Sequence, residues 1–417
     1  MGRTTLEIKK NNFLINGELV YSEIKNSKDS QGLLMNSRFI QGIFDDKIDR
    51  TRFDRFGKKF DPDKNTDDLI KALPKWYDYG LRAFTVGIQG GWPVFTIDVE
   101  DINNNPFGTD GKEFDEKYAE RLDRLIKAAD SLGMVVIVNI LYWAQAKRLK
   151  DGMAIKSALK NAARFLRDGK YTNVIIDLAN EYDIEPWNYH SFMRSPDTMQ
   201  ILIDMVRKES GGLPIGSSGG GGSIHKNVID YSDVILLHGN GLTQGEYYDL
   251  IKKIKEIAPD KPIVCNEDSP CFTRLDVAKQ THTSWGYYNN FTKQEPPCDW
   301  GITKGQDEFF ARRMAKNVGI EIDELPIDEQ FYLQGLEENT SWDNKRWIHV
   351  AAEYPEKVNY VDFYYNNQFV YRSYDEPFFL FRETTWIQKG WTIQESGEWK
   401  VKIVLNDGKI IEKAKSV

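Results

Sequence analysis

The stretch Asn173–Asp183, NVIIDLANEYD, decides how the rest of the chain is read. Its first half, Val174 to Leu178, is the largely apolar run that a strand buried on both faces needs. The run breaks off at Asn180 and Glu181, two polar side chains at the strand's C-terminal tip. In an α/β barrel that tip faces the active site. A second stretch of the same design lies downstream: Pro262-Ile263-Val264-Cys265, then Asn266-Glu267-Asp268. Two buried strands thus each deliver a glutamate to one rim.

Outward from these two, strand and helix patterns alternate. Asn36–Asp46 reads as a first strand and Arg82–Ile88 as a second, with Gln89-Gly90-Gly91-Trp92 at its mouth. Met134–Leu141 reads as the third, ending at Tyr142 and Trp143. The fifth is Leu213–Ser217, the sixth Asp233–Leu237 with His238-Gly239-Asn240 at its end, and the eighth Ser284–Tyr288. Amphipathic helices are predicted over 67–79, 114–132, 154–167, 197–209, 246–257 and 307–318, and Gly80 and Gly133 stop two of them. Eight such units in about 290 residues have the number and size of a (β/α)8 barrel.

The expected fold class is therefore α/β: a (β/α)8 TIM barrel over residues 31–322 with a C-terminal antiparallel β-sandwich. Residues 1–30 read as an N-terminal β-hairpin cap, because Asn11-Asn12 and Asn16-Gly17 separate short alternating runs. Near Glu321 the texture changes to an acidic linker containing Pro326. Beyond it, short alternating strands with turns at Asn366-Asn367 and Asn406-Asp407-Gly408 resemble an immunoglobulin-like sandwich over 330–417.

Composition narrows the function. The 417 residues carry 63 acidic and 55 basic side chains, a net charge of −8, without a basic stripe. No nucleic-acid partner is expected. No apolar run reaches the roughly 18 residues of a transmembrane helix, so no membrane partner is expected either. The first ten residues, MGRTTLEIKK, lack the apolar core of a signal peptide; the protein is cytoplasmic, or a leader has been removed. Cys265, Cys271 and Cys298 do not suggest a disulfide framework and leave the compartment open. The 11 Trp and 20 Tyr exceed what a core requires and suit flat ligands, although most must serve packing.

Three weaker motifs have plain readings. Asp61, Asp63, Asn65 and Asp67 stand at calcium-loop spacing, but Thr66 and Ala72 occupy the positions of the required glycine and closing glutamate. An acidic helix start capped by Asn65 or Thr66 is expected instead. Gly219–Gly222 are followed by no Lys-Ser/Thr and open no helix, so a mobile loop is expected rather than a phosphate cradle. The five histidines show no metal-ligand spacing.

Paired carboxylates on one barrel rim are most commonly used to cut glycosidic bonds. Asn180-Glu181 on the fourth strand and Glu267 on the seventh resemble the pattern of glycoside hydrolase clan A, over about Met35 to Val318. Members of that clan are retaining (β/α)8 enzymes. The resemblance implies Glu181 as acid/base, Glu267 as nucleophile and Asn180 as a ligand of the sugar 2-hydroxyl. Arg38, His238 and Trp285 are residue types that the clan places around the sugar whose bond is cut. Trp143 and Trp92 are candidate stacking platforms, and Asp46 and Tyr287 further substrate-binding candidates. Neither FIQGIFDD nor the Asn266–Asp268 segment selects a family within the clan. The implied activity is double-displacement hydrolysis of β-glycosidic bonds in an oligo- or polysaccharide, with no cofactor and no metal.

Competing readings stay open at this level. Either glutamate is also a possible rim ion-pair partner, Arg38 a structural cation, and His238 a satisfied core residue. Asp46, with Asp45, suits a helix cap, and Trp92 suits lid packing. A non-catalytic carbohydrate-binding barrel would keep the aromatics while its carboxylates stand apart or paired. A metal-assisted lyase or hydrolase is a third reading. A carboxyl separation of about 5–5.5 Å favours the retaining enzyme, and a much larger one does not.

Overall fold

Eight short parallel strands ring a central axis: β1 (Asn36–Arg38), β2 (Ala83–Gly87), β3 (Val135–Leu141), β4 (Val174–Ala179), β5 (Ile215–Gly216), β6 (Ile235–His238), β7 (Ile263–Glu267) and β8 (Gly286–Tyr287). The computed structural model describes residues 2–417 apart from 94, 96, 99, 338–340, 343, 385–387 and 393–395, with backbone only at 341–342. Strands β8-β1-β2-β3-β4-β5 form one parallel sheet and β6-β7 a second. Two contacts join them into a closed ring. Val264 bridges Ser284 in parallel register, and Asp233 N donates to Ile215 O at 2.8 Å. Every residue of β3 and β4 is buried, as their apolar runs require.

Each strand leads to an outer helix: α1 (Pro62–Asp78), α2 (Glu116–Leu132), α3 (Gly152–Asp168), α4 (Pro196–Glu209), α5 (Lys226–Tyr231), α6 (Gln244–Ile257), α7 (Thr273–Gln280) and α8 (Gln306–Asn317), with four-residue helices also at Trp143–Ala146 after β3 and Asn290–Lys293 after β8. Local chemistry sets their ends. Asp151 caps α3 by accepting from Ala154 N, and Thr243 and Glu246 form a reciprocal capping box on α6. Gly133, at φ +81°, closes α2 in the left-handed region that favours glycine. The short α5 and α7 hold too few residues for an apolar period to stand out.

Helix α1 differs from expectation at its start. Its cap is Asp61, which accepts from Lys64 N, because Pro62 fits the first helical position. Asn65 and Thr66 lie one turn inside and do other work. They donate to Gln41 O and Gly42 O, each at 2.8 Å, and tie α1 to the loop after β1.

The N-terminal strands Leu6–Lys9, Asn12–Ile15 and Glu18–Leu19 cover the end of the barrel where the strands begin. Leu6 N donates to Thr172 O, just before β4, and Tyr21 Oη to Gly80 O, just before β2. After α8 comes a four-stranded antiparallel sheet with strands Gln368–Ser373, Val358–Tyr365, Glu398–Leu405 and Ile410–Ser416 in that order. It shares an apolar core, including Phe331, Val350, Phe363 and Trp399, with the pair Phe331–Gln334 and His349–Ala352. Buried Arg312 on α8 reaches Glu353 at 3.0 Å and fastens this unit to the barrel.

Candidate active site

Strand β4 ends by turning sharply. Ala179 is its last residue, and Glu181 sits at φ +48°, a left-handed conformation that costs an L residue roughly 1–2 kcal/mol. Neighbours hold it there. Trp187 Nε1 donates to Asn180 O at 3.0 Å, and Tyr182 N donates to Ser218 O at 3.1 Å. The turn leaves Asn180 buried beneath Glu181, whose side chain keeps 19% of its surface exposed.

Strand β7 presents its acid by a different device. Its pairing with β6 slips between Cys265 and Glu267, an irregularity that re-aims side chains. Consecutive residues therefore share the barrel interior: Asn266 Nδ2 donates to Asp177 at 3.1 Å, while Glu267 joins the cluster above. Asp268 points into the surrounding layer, where it pairs with Arg274 and accepts from Trp285 Nε1.

The cluster is tight. Arg38 Nη2 lies 2.8 Å from Glu267 Oε2 and donates to Asn180 Oδ1 at 2.8 Å. His238 Nδ1 is 3.0 Å from Glu181 Oε1 and 3.6 Å from Glu267 Oε2. Asn240 Nδ2 donates to Glu267 Oε1 at 2.8 Å. One carboxylate oxygen each from Glu181 and Glu267, together with a His238 ring nitrogen, lie within 4.8 Å of one another.

Charge is distributed unequally. Burial opposes ionisation of Glu267, but Arg38, His238 and the Asn240 donor outweigh it, and its pKa falls below the ordinary glutamate value. Burial alone would lower the pKa of His238; Glu267 and Glu181 reverse that and raise it. Burial pushes the hydroxyls of Tyr142 and Tyr288 up, and the negative charge of Glu267 adds to both. Below the pair, burial also raises Asp177, whose carboxylate accepts from the backbone N–H and the hydroxyl of Ser218.

Of the residues expected at the site, the structure brings together Arg38, Asn180, Glu181, His238 and Glu267. Trp143 and Trp92 stand in edge-to-face contact at 6.2 Å, and Trp143 lies 5.4 Å from Tyr142, so these rings form one wall of the mouth. Three expectations need correction. Trp285 is fully buried and faces α8, with its ring 5.9 Å from Phe310. Tyr287 stacks on Phe310 at 4.1 Å and donates to Asp307. Side chains alternate along a strand, so both residues face the helix layer while Tyr288 faces inward. The Arg38 guanidinium lies 5.4 Å from the Tyr288 ring. Asp46 is occupied in the frame: it pairs with Arg52 and accepts from Ile48 N and Asn103 N, each at 3.0 Å, locking the loops after β1 and β2.

Sequence reading also missed residues. Asn240 sits two positions after His238, and the polar ending of β6 was the available signal. Asp177, an acid within an apolar run, marked the barrel interior. The glycines Gly219–Gly222 are not loose. Gly220 N donates to Asp183 Oδ1 at 2.8 Å and Gly222 N to His238 O at 3.1 Å. A Cβ on Gly221 would lie 2.4 Å from Asn240 O, so the segment fits only without side chains.

The donor set Glu181, His238 and Glu267 is also the one metal-type grouping found among the described residues. Arg38 beside Glu267 places a fixed positive charge against any cation there. Among the described residues no helix is long and apolar enough to cross a membrane.

The fold is a (β/α)8 barrel that holds two acids, Glu181 and Glu267, close together at the C-terminal ends of its strands. Consistent with this, the family model Cellulase (glycosyl hydrolase family 5) matches residues 65–216. The match runs from α1 to β5; it includes Asn180 and Glu181 and ends before Glu267. No curated protein matches the chain in sequence. Among solved structures, the chain is similar to an endo-beta-1,4-mannanase from Thermotoga petrophila at 12% identity and TM-score 0.45, covering 92% of this chain and 97% of that one. A calcium-binding mutant of Bacteroides uniformis beta-glucuronidase 2 aligns at 9% identity and TM-score 0.45 over 99% of this chain and 47% of its own. A glycoside hydrolase family 5 enzyme from Prevotella bryantii B14 aligns at 11% identity and TM-score 0.42 over 72% and 98%. The chain spans about half the length of the beta-glucuronidases it matches.

Proposed function

We propose that the protein is a retaining glycoside hydrolase that cleaves β-glycosidic bonds of an oligo- or polysaccharide by double displacement. One observation carries the reading: oxygens of Glu181 and Glu267 lie within 4.8 Å of each other. Retaining enzymes hold their carboxyls about 5–5.5 Å apart, and inverting ones about 6.5–9.5 Å, to admit a water between. The short gap favours direct attack by one carboxylate.

The roles follow from the electrostatics. Glu267, held ionised by Arg38, His238 and Asn240, attacks the anomeric carbon. Glu181, the more exposed acid, gives its proton to the departing glycosidic oxygen. A glycosyl ester on Glu267 results, and its formation removes the negative charge opposite Arg38. Glu181, now ionised, takes a proton from water as the water attacks the same carbon, and Glu267 leaves. Asn180, fixed through Oδ1 by Arg38, has its Nδ2 left to donate to the sugar 2-hydroxyl. That bond strengthens as charge develops on the ring, so it lowers the barrier rather than only binding substrate. Trp92 and Trp143 offer ring faces to the sugar. The working division is an N-terminal cap over 1–30, a catalytic barrel over 31–322 and a C-terminal sandwich over 330–417.

The test is turnover and labelling. A panel of aryl β-glycosides and β-linked oligosaccharides should be hydrolysed with retained anomeric configuration, read by proton NMR. A 2-deoxy-2-fluoro glycoside should label the peptide containing Glu267. Wild-type-like turnover by Glu267→Gln, or an inverted product, overturns the proposal.

A further inference from the structure

The hydrogen-bonded ladder between β4 and β5 is short. It pairs Ile176 with Ile215 and Asp177 with Gly216, and there it ends. Beyond it two serines carry the connection. Ser217 Oγ donates to Ala179 O at 3.1 Å. Ser218, fully buried, meets the Glu181 turn twice: Tyr182 N donates to its carbonyl at 3.1 Å, and Glu181 N faces its Oγ at 3.5 Å. These N–H groups belong to the two peptides that flank the Glu181 Cα. A peptide is planar, so fixing both planes fixes the φ and ψ between them. Ser218 therefore holds the left-handed turn, at φ +48°, that sets where the Glu181 carboxyl stands.

Ser218 is itself held from below. Its N–H donates to Asp177 Oδ1 at 3.0 Å, and its hydroxyl donates to Asp177 Oδ2 at 3.0 Å. A serine hydroxyl has one proton, and giving it to Asp177 leaves the oxygen lone pairs for Glu181 N–H. Asp177 is fully buried too, and its Oδ2 also accepts from Asn266 Nδ2 at 3.1 Å. Asn266 stands next to Glu267. One carboxylate thus ties the turn that carries Glu181 to the strand that carries Glu267.

We infer that Asp177 is a positioning residue, which through Ser218 aims the Glu181 carboxyl at the glycosidic oxygen and fixes its place relative to Glu267. The inference rests on the retaining-glycosidase reading, in which Glu181 is the acid. Protonation of the departing oxygen matters more the more basic that oxygen is. A phenoxide needs the proton in order to leave, and a 2,4-dinitrophenoxide does not. A displaced Glu181 therefore slows the first and spares the second, whereas a loss of folded enzyme slows both alike.

The full-length protein and its Asp177→Asn and Ser218→Ala variants are given phenyl and 2,4-dinitrophenyl β-glycosides of mono- and disaccharides, and kcat/KM is measured. Asp177→Asn keeps the size of the side chain, but in either orientation the new amide sets a donor against Ser218 N or against Asn266 Nδ2. Each variant should raise the dinitrophenyl-to-phenyl ratio of kcat/KM by about a hundredfold, the cost of a catalytic group displaced by about 1 Å. The double variant should raise it no further, because the two residues act in series. The ratio does not depend on the fraction of enzyme that is folded, so a poorly folding variant still reports. An unchanged ratio in either variant overturns the inference while leaving the glycosidase reading intact. Hydrolysis of none of these glycosides by the wild type overturns both.

Discussion

Asn240 Nδ2 donates to Glu267 Oε1 at 2.8 Å, on the side of the carboxylate away from Arg38. A donor to the charged form lowers a carboxyl pKa. Without it the folded-state pKa of Glu267 rises, and less of the enzyme is ionised at a given acidic pH. Asn240→Ala should therefore move the acid limb of the kcat/KM profile to higher pH. The plateau should fall by about ten- to a hundredfold, the worth of a hydrogen bond to a charged group. An unmoved acid limb in pH-rate measurements counts against the assignment.

The tetraglycine segment should tolerate no side chain. A Cβ on Gly221 meets Asn240 O at 2.4 Å and one on Gly220 meets Ile184 Cγ2 at 2.6 Å, whereas one on Gly245 meets nothing within 4 Å. Gly221→Ala should lower activity by displacing Asn240 from Glu267. Gly245→Ala, in α6, should leave activity unchanged and add up to about 1 kcal/mol of stability from helix propensity. Matched activity and melting curves for the two variants check both statements.

Lys293 and Asp307 form an ion pair at 2.8 Å with neither side chain exposed, and Asp307 also accepts from Tyr287, Asn289 and Thr303. Removing one partner strands the other charge in the interior. Asp307→Ala should cost about 3–5 kcal/mol of stability. Denaturant unfolding of the wild type and the variant gives the difference.

Glu376, in the C-terminal unit, accepts from Thr273 of α7, and burial pushes its carboxyl up to about 7 from 4.5. Between these values the folded state binds a proton that the unfolded state has released. Stability from this group is therefore fully present below pH 4.5 and is lost as pH rises through about 7. Glu376→Gln keeps an acceptor for Thr273 and carries no charge. The variant should match the wild type near pH 4.5 and melt higher at pH 8, by about 2–3 kcal/mol in unfolding free energy. Equal melting temperatures at pH 8 would remove Glu376 as a pH-linked contact.

Much of the barrel was written in the alternation of apolar strands with amphipathic helices. The boundaries were less legible where polar residues serve the loops. Asn36–Asp46 was expected as one strand, yet β1 stops at Arg38, because Gly42 N and Phe44 N turn back onto Phe39 O and Gln41 O. On β8 the residue types were right and the face was wrong. An eighth strand buried on both sides gives no polar alternation, so nothing in Trp285-Gly286-Tyr287-Tyr288 says which rings point inward. The slip between Cys265 and Glu267 was equally silent, although it aims Asn266 and Glu267 into one chamber.

Residue chemistry in order along the chain determined the barrel, its two acidic strand ends and the residues Arg38, Asn180 and His238 that accompany them, because burial and periodicity are local properties. Only the closed ring decided that an acid on β4 and an acid on β7 share His238, that Asn240 serves Glu267, and that Trp347 from a separate unit packs against Phe95 and Phe291 in the loops after β2 and β8. Those relations depend on distances between segments far apart in sequence, which strand twist, a slipped register and loop packing set jointly, and no single stretch of sequence encodes them.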